Sequence, residues 1–299
     1  VQLLDPAVVD INTINQTDSG YAIAAGTGMI VSSDGFIVTN NHVVEEATSI
    51  EVAIEGHAPQ HEATFVGADP GADVAVIKVD GLTGLPTVHF GNSSTISVGD
   101  RVVAIGNAGG RGGKPAVTTG TISALGQAIT AADEITAQPE HLTGMIETNA
   151  TIVPGNSGGP LVDDHGLVIG MNTAANPGGY ALPIDRVSAI AGAIEHGRSG
   201  GGVVLGLRAF LGVVGQVPKS GTTPAGVDIT RVVLGDPAAQ AGMEPGDVVV
   251  DFDGRSTPTV FALQRLVLAR QPGDAATVTF SSPNGLETVS VRLVEGPAP

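Results

Sequence analysis

The feature that most limits the folds open to this chain is its punctuation. There are 43 glycines and 19 prolines among 299 residues. Both break helix interiors, so between them the chain has room mainly for short elements joined by tight turns. The apolar, β-branched runs fit that limit. They fall at residues 24–31, 35–40, 49–54, 72–79, 100–105, 117–125, 144–149, 159–162 and 167–173. The first two flank Ser32-Ser33-Asp34, which with Gly35 reads as an Asp-Gly hairpin. This spacing predicts an antiparallel barrel or sandwich over the first two thirds of the chain. A good helical period first appears at 185–196, where Val187, Ile190, Ala191 and Ile194 recur at i, i+3, i+4 and i+7 behind Asp185 as N-cap.

Composition removes whole classes of function. The 13 basic residues are outnumbered by 30 acidic ones, a net charge of −17. Such a surface repels phosphate backbones, which argues against nucleic acid and anionic membranes as partners. Aromatic residues make up 3% and tryptophan is absent, so base-stacking platforms and aromatic cages are disfavoured. With no cysteine, disulfides, thiolate zinc sites, iron–sulfur clusters and a cysteine nucleophile are excluded. No apolar run reaches the length of a membrane-spanning helix. The opening Val-Gln-Leu-Leu-Asp-Pro lacks the basic and apolar regions of a signal peptide; the expectation is that one was removed or never present.

The organisation predicted is a first domain over 1–196, a linker over 197–206 opening on Gly-Arg-Ser-Gly-Gly-Gly, and a second domain over 207–299. In the second, short strands at 211–215, 227–233, 247–252, 276–280 and 288–293 alternate with two helical stretches. One is 237–241, ended by Gly242. The other is 259–269, with Val260, Leu263, Leu266 and Val267 on one side. That pattern is an α+β module.

The strongest chemical signal is Pro154-Gly155-Asn156-Ser157-Gly158-Gly159-Pro160. A serine hydroxyl needs a neighbouring base to become a nucleophile, and donors for the oxyanion formed when it attacks a carbonyl. Gly155 permits a sharp turn that aims the N–H groups of Gly155 and Ser157 at one point, and Gly158 and Gly159 leave room for a substrate chain. The candidate base is His42, which comes after a predicted strand in Thr39-Asn40-Asn41-His42; the other six histidines read as ordinary surface residues. The candidate orienting acid is Asp73, at the start of an almost wholly apolar strand, with Asp69 and Asp80 as rivals placed in turns.

The segments TNNHVV, DVAVIKV and PGNSGGPLV, in this order, resemble the trypsin-like protease domain of the HtrA (DegP-type) family, and GTGMIVSSDGFIVTN, GDRVVAIGN and TGTISALG resemble its strands. Residues 210–213 (Phe-Leu-Gly-Val) and 236–247 resemble a PDZ module. The short loops are similar to those of secreted, mycobacterial-type (PepA-like) members. The resemblance implies a mainly β protein: a chymotrypsin-like double β-barrel protease domain followed by an α+β PDZ domain. It implies His42 as general base, Asp73 as its orienter, Ser157 as nucleophile, and Gly155 and Ser157 N–H groups as oxyanion hole. Residues 171–175 would be the strand that pairs with substrate, Thr173 reaching Asp73 and Ala174 and Ala175 lying on the path. Ile152 with Ala175 or Asn176 would line an S1 pocket for Val, Ala, Ile or Leu. Phe210, Leu211, Gly212 and Val213 would bind a peptide's terminal carboxylate. The implied protein is a secreted or envelope endopeptidase that cleaves unfolded or damaged polypeptides without metal or cofactor, as a homotrimer or a monomer. Two departures stand out: Val153 occupies a position where many relatives have Asn, and the 15–24 segment is short. A reading of another class is a peptide-binding adaptor or holdase with a locked protease site.

Other motifs have plainer explanations. His57 and His61 have the spacing of a metal pair, but Pro59 opposes the helix it needs. Gly26-Thr27-Gly28 lacks the third glycine of a dinucleotide loop. Asp251–Gly254 reads as a hairpin turn rather than half a calcium loop, and Gly109–Gly113 as a surface loop rather than an anion nest. The sequons at Asn15, Asn92 and Asn149 read as chance matches.

Overall fold

The computed structural model describes residues 5–17, 20–54, 59–132, 139–174, 179–216 and 225–298. They form two compact units, one running to Gly206 and taking in Ala298, the other spanning Leu207–Pro297.

In the first unit, β1 (Val8–Thr17), β2 (Gly20–Ile30), β3 (Phe36–Thr39), β4 (Ala47–Ile54), β5 (Gln60–Asp69) and β6 (Val74–Val79) pair in the order β5-β4-β1-β2-β3-β6, and a β5–β6 pairing closes the ring. A second closed barrel comes next, from β7 (Arg101–Gly106), β8 (Ala116–Ala132), β9 (Pro139–Thr148), β10 (Pro160–Val162), β11 (Val168–Ala174) and β12 (Gly179–Pro183), in the order β10-β11-β12-β9-β8-β7. Helix α1 (Asn41–Val44) leaves β3, and α2 (Ile184–Glu195) leaves β12. The two-residue β13 (Val204–Leu205) pairs antiparallel with β5.

Packing explains the double barrel. Met29, Val38 and Val76 of the first barrel share one apolar cluster with Met145, Met171 and Leu182 of the second. Helix α2 buries Ile184, Val187, Ala191 and Ile194 in that same cluster, each large aliphatic side chain contributing about 1.5–3 kcal/mol. Ile122, Ile146, Leu161 and Ile169 fill the second barrel. Gly28 marks how tight the first barrel is: a Cβ there would stand 2.6 Å from Ile37 and 2.9 Å from Ile11.

Four strands of the first unit, β1, β5, β12 and the two-residue β13, are missing from the sequence reading. Strand β1 buries Asp10, Thr13 and Asn15 beside Val9 and Ile11, so polar residues stand where the alternating pattern demands apolar ones. The cap of α2 also differs from expectation. Pro183 is the N-cap, and Asp185 sits in the first turn, accepting the N–H of Ser93 at 3.3 Å.

The second unit holds β14 (Ala209–Phe210), β15 (Val213–Gln216), β16 (Val227–Val232), β17 (Val248–Phe252), β18 (Arg255–Ser256), β19 (Ala275–Ser282), β20 (Gly285–Arg292) and β21 (Val294–Glu295). The main sheet runs β15-β16-β17-β19-β20, with β18 on β17, and β14 pairs with β21. Helices α3 (Pro237–Gln240) and α4 (Val260–Leu268) accompany it. Thr259 caps α4 through Ala262 N–H at 3.1 Å, and Leu263, Leu266 and Val267 are buried. The expected strand over 211–215 is broken: Gly212 takes φ +84° and separates β14 from β15. The Asp251–Gly254 segment is a hairpin turn, with Asp253 at φ +52° and Gly254 at φ +73°.

Candidate active site

His42 and Asp73 are brought together by strand pairing. Strand β3 lies on β6, with Thr39 opposite Ala75, so the chain leaving β3 meets the chain entering β6. His42 is the second residue of α1. Asp73 is not the first residue of β6 but the left-handed end (φ +55°) of a 3-10 turn, Pro70–Ala72. Both carboxylate oxygens of Asp73 stand 3.0 Å from His42 Nδ1, and Oδ1 accepts the His42 backbone N–H at 3.1 Å. Asp73 is fully buried, while the imidazole side chain keeps 23% of its surface exposed. Asn40 completes the cradle. Its Nδ2 donates to the Asp73 carbonyl at 3.0 Å, to Asp73 Oδ2 at 2.9 Å and to Thr173 Oγ1 at 3.0 Å. Thr173 therefore meets Asp73 through Asn40 rather than directly. A carboxylate on Nδ1 fixes the proton there and leaves Nε2 as the basic nitrogen.

The Ser157 loop lies between β9 and β10. Gly155 and Gly158 take φ +93° and +85°. A Cβ on Gly155 would stand 2.1 Å from the Asn107 carbonyl, and one on Gly158 would stand 2.0 Å from the Thr27 carbonyl, so both positions demand glycine. Ser157 is 5% exposed. Its carbonyl accepts the Thr27 N–H at 2.9 Å, and Gly158 N–H donates to Asn172 at 2.9 Å. Thr27 Oγ1 donates to the Gly155 carbonyl at 2.7 Å and accepts the Asn107 N–H at 2.8 Å. The Pro154 carbonyl accepts Gly109 N–H at 2.8 Å. In a trans peptide the Gly155 N–H then points the other way, and it has no acceptor among the described residues.

The second unit carries a groove of about 330 Å³ between the 209–215 segment and α4, lined by Leu211, Val213, Val260, Leu263, Gln264 and Val267. Leu211 is buried and Val213 half-buried. The Leu211 carbonyl accepts Ala238 N–H at 3.0 Å and the Gly212 carbonyl accepts Val233 N–H at 2.9 Å. Both carbonyls are thus tied back, and the Gly212 and Val213 N–H groups face away from them.

A trypsin-like peptidase domain model matches residues 26–171, and a PDZ domain model matches residues 209–293. Serine protease PepD of Mycobacterium tuberculosis is 35% identical over 320 residues, covering 98% of this chain and 66% of that protein. A protein of Chlamydia muridarum named as a DegP-like periplasmic serine endoprotease is 36% identical over 290 residues, covering 91% of this chain and 54% of the relative. Among solved structures, the HtrA-type protease AlgW with a tripeptide is 31% identical at a TM-score of 0.57, covering all of this chain and 97% of the other. The chain belongs to the HtrA/DegP-type serine proteases. It spans between about half and two thirds of the length of the curated relatives it matches.

In this HtrA-type chain the expected S1 residues divide. Ile152 is 8% exposed and packs in the second-barrel cluster; Ala175 and Asn176 lie outside the described residues. Strand β11 pairs with β10 as far as Met171, Asn172 continues onto the serine loop at Gly158 and Gly159, and β12 accompanies the strand to Ala174, so among the described residues no strand pairs with Thr173 or Ala174 on the side away from β12. The Gly109–Gly113 segment is more than a surface loop, since Gly109 holds Pro154 and Gly112 N–H donates to Asn107 Oδ1 at 2.8 Å. Among the described residues no cluster of acids and histidines could hold a metal ion; His57 lies outside them. The described helices include none long and apolar enough to cross a membrane. Sequence reasoning missed Asn40, Thr27, Asn107 and Asn172. Asn40 alone left a signal, standing two residues before His42.

Proposed function

We propose that this chain is a serine endopeptidase that hydrolyses peptide bonds in unfolded or damaged polypeptides, in the secreted or envelope compartment that its periplasmic relatives share. The observation that carries the reading is the buried Asp73 held on His42 Nδ1 by both oxygens and pinned from behind by Asn40. A structural ion pair does not need its acid dehydrated and its imidazole part-open; a general base does.

In the proposed reaction, His42 Nε2 takes the Ser157 hydroxyl proton as Oγ attacks the substrate carbonyl. The oxyanion is received by the Gly155 and Ser157 N–H groups. His42 then protonates the leaving amine, the acyl-enzyme forms on Ser157, and water activated by the same imidazole releases the acid. Substrate backbone pairs with the open side of Thr173 and Ala174. Ile152, Ala175 and Asn176 carry no charge, so the P1 side chain is a small aliphatic one. Loose selectivity results, because one methylene in such a pocket changes preference by about 1–3 kcal/mol. The second unit takes the C-terminus of a peptide, its carboxylate on the Gly212 and Val213 N–H groups and its strand along β15.

The test is hydrolysis of an unfolded casein-type substrate beside labelling by a fluorophosphonate. Wild type is expected to cleave and to be labelled at Ser157, and Ser157→Ala to do neither while keeping its thermal melt. Equal cleavage by both proteins would refute the assignment. C-terminal peptide binding without labelling of wild type would make the protein an adaptor.

A further inference from the structure

We propose that Asp69 is a positioning residue for the His42–Asp73 pair, and that the segment 200–206 holds Asp69 in place. This rests on the hydrolytic reading of that pair. Asp73 occupies a left-handed conformation (φ +55°, ψ +46°), which a non-glycine residue keeps only when its surroundings impose it. Two hydrogen bonds impose it from the N-terminal side. Asp69 Oδ1 accepts Ala72 N–H at 3.2 Å, and the Pro70 carbonyl accepts Asp73 N–H at 3.2 Å. Asp69 thus fixes the turn whose last residue aims the carboxylate at His42.

What fixes Asp69 is remote in sequence. The 200–206 segment is laid along β5: Val204 opposes Ala68, Leu205 opposes Gly67, and Gly206 N–H donates to the Val66 carbonyl at 2.8 Å. Val203 and Leu205 pack on the shared apolar cluster. At the head of this strap the Gly202 backbone (φ +106°) lies directly on the Asp69 carboxylate, where a Cβ would stand 2.6 Å from both oxygens. Asp69 is 8% exposed, so it has no room to turn away. The strap ends at Gly206, and the next residue opens the second unit.

The experiment compares Asp69→Ala, Asp69→Asn and Gly202→Ala in the whole chain. It reads kcat and KM on the casein-type substrate, and the titration of the His42 imidazole by NMR, which needs no turnover. Asp69→Ala is expected to lower kcat about tenfold at nearly unchanged KM, and to lower the His42 midpoint by about one pH unit as the Asp73 carboxylate loses its aim. Asp69→Asn restores both, because its amide oxygen still accepts Ala72 N–H. Gly202→Ala, which drives a methyl group onto the Asp69 carboxylate at a positive φ, reproduces Asp69→Ala. Folded Asp69→Ala and Gly202→Ala proteins with wild-type kcat and wild-type His42 titration would overturn the proposal. If Asp69→Ala does not fold, Gly202→Ala decides alone. Failure of fluorophosphonate to label wild-type Ser157 would instead strike the hydrolytic reading and leave the His42 titration to judge the role of Asp69.

Discussion

Thr27 takes part in four hydrogen bonds around the serine loop: its N–H donates to Ser157, its carbonyl accepts from Thr39 Oγ1 at 2.7 Å, and its hydroxyl joins Gly155 to Asn107. Thr27→Val keeps the shape and deletes the last two. A buried carbonyl and a buried N–H then lack partners, at about 1–3 kcal/mol each. The expected outcome is a lower melting temperature and slower fluorophosphonate labelling of Ser157; a valine variant labelled at the wild-type rate would show that the loop holds itself. Gly158→Ala is more severe, since the new methyl would fall 2.0 Å from the Thr27 carbonyl at a positive φ, and labelling should vanish. At this scale legibility depends on distance along the chain. Ser157, Gly155 and His42 announce themselves because their chemistry needs local glycine turns or a strand end. Thr27 and Asn107 act on partners far away in sequence, and an ordinary threonine or asparagine carries no mark of that.

Among elements, the most regular are the most readable. Helix α4 buries Leu263, Leu266 and Val267 as its period predicts, and the predicted bounds of α2 agree with the structure to within a residue. Strand β1 is invisible to the pattern because its inward positions include Thr13 and Asn15. The break at Leu211-Gly212 is invisible for another reason: a continuous apolar run does not say where two short strands change sheets. Leu266→Ala in α4 should cost about 2–5 kcal/mol and lower the melting transition of the second unit while Ser157 labelling stays at its wild-type rate. The β17–β18 hairpin offers a pH test. Burial pushes the Asp253 carboxyl up, but the Thr277 N–H at 2.7 Å and Arg270 Nη2 at 2.6 Å outweigh it and leave the pKa below the usual carboxylate value. A depressed acid stabilises the fold at pH above its unfolded value, and that stability is lost as pH falls through the folded one. Asp253→Asn, which tolerates φ +52° equally well, should therefore lower the melting temperature at pH 7 and narrow the gap to wild type near pH 3. An unchanged melt at pH 7 would show that the ion pair adds nothing.

For the molecule as a whole, the architecture is legible from punctuation and motif order together, whereas the attachment of residues 204–205 to the first unit depends on strand pairing that composition does not reveal. The Gly-rich stretch after α2 reads as a free linker, yet its end is sewn onto β5 as β13. Proteolytic activity of the intact chain should fall as pH drops below about 6–7, because His42 must be neutral to accept a proton; a flat profile to pH 4 would contradict its role as base.

An unguarded sheet margin is a template onto which any extended β-forming segment can zip. Here each barrel of the first unit bites its own tail and leaves such segments little seam to join. The margins left open among the described residues, beyond Asn172 on β11 and along β15 beside the groove, are where an extended chain can dock. On the proposed function, that closure leaves an extended polypeptide these two margins, the one meant for the substrate strand and the one meant for a peptide's C-terminus.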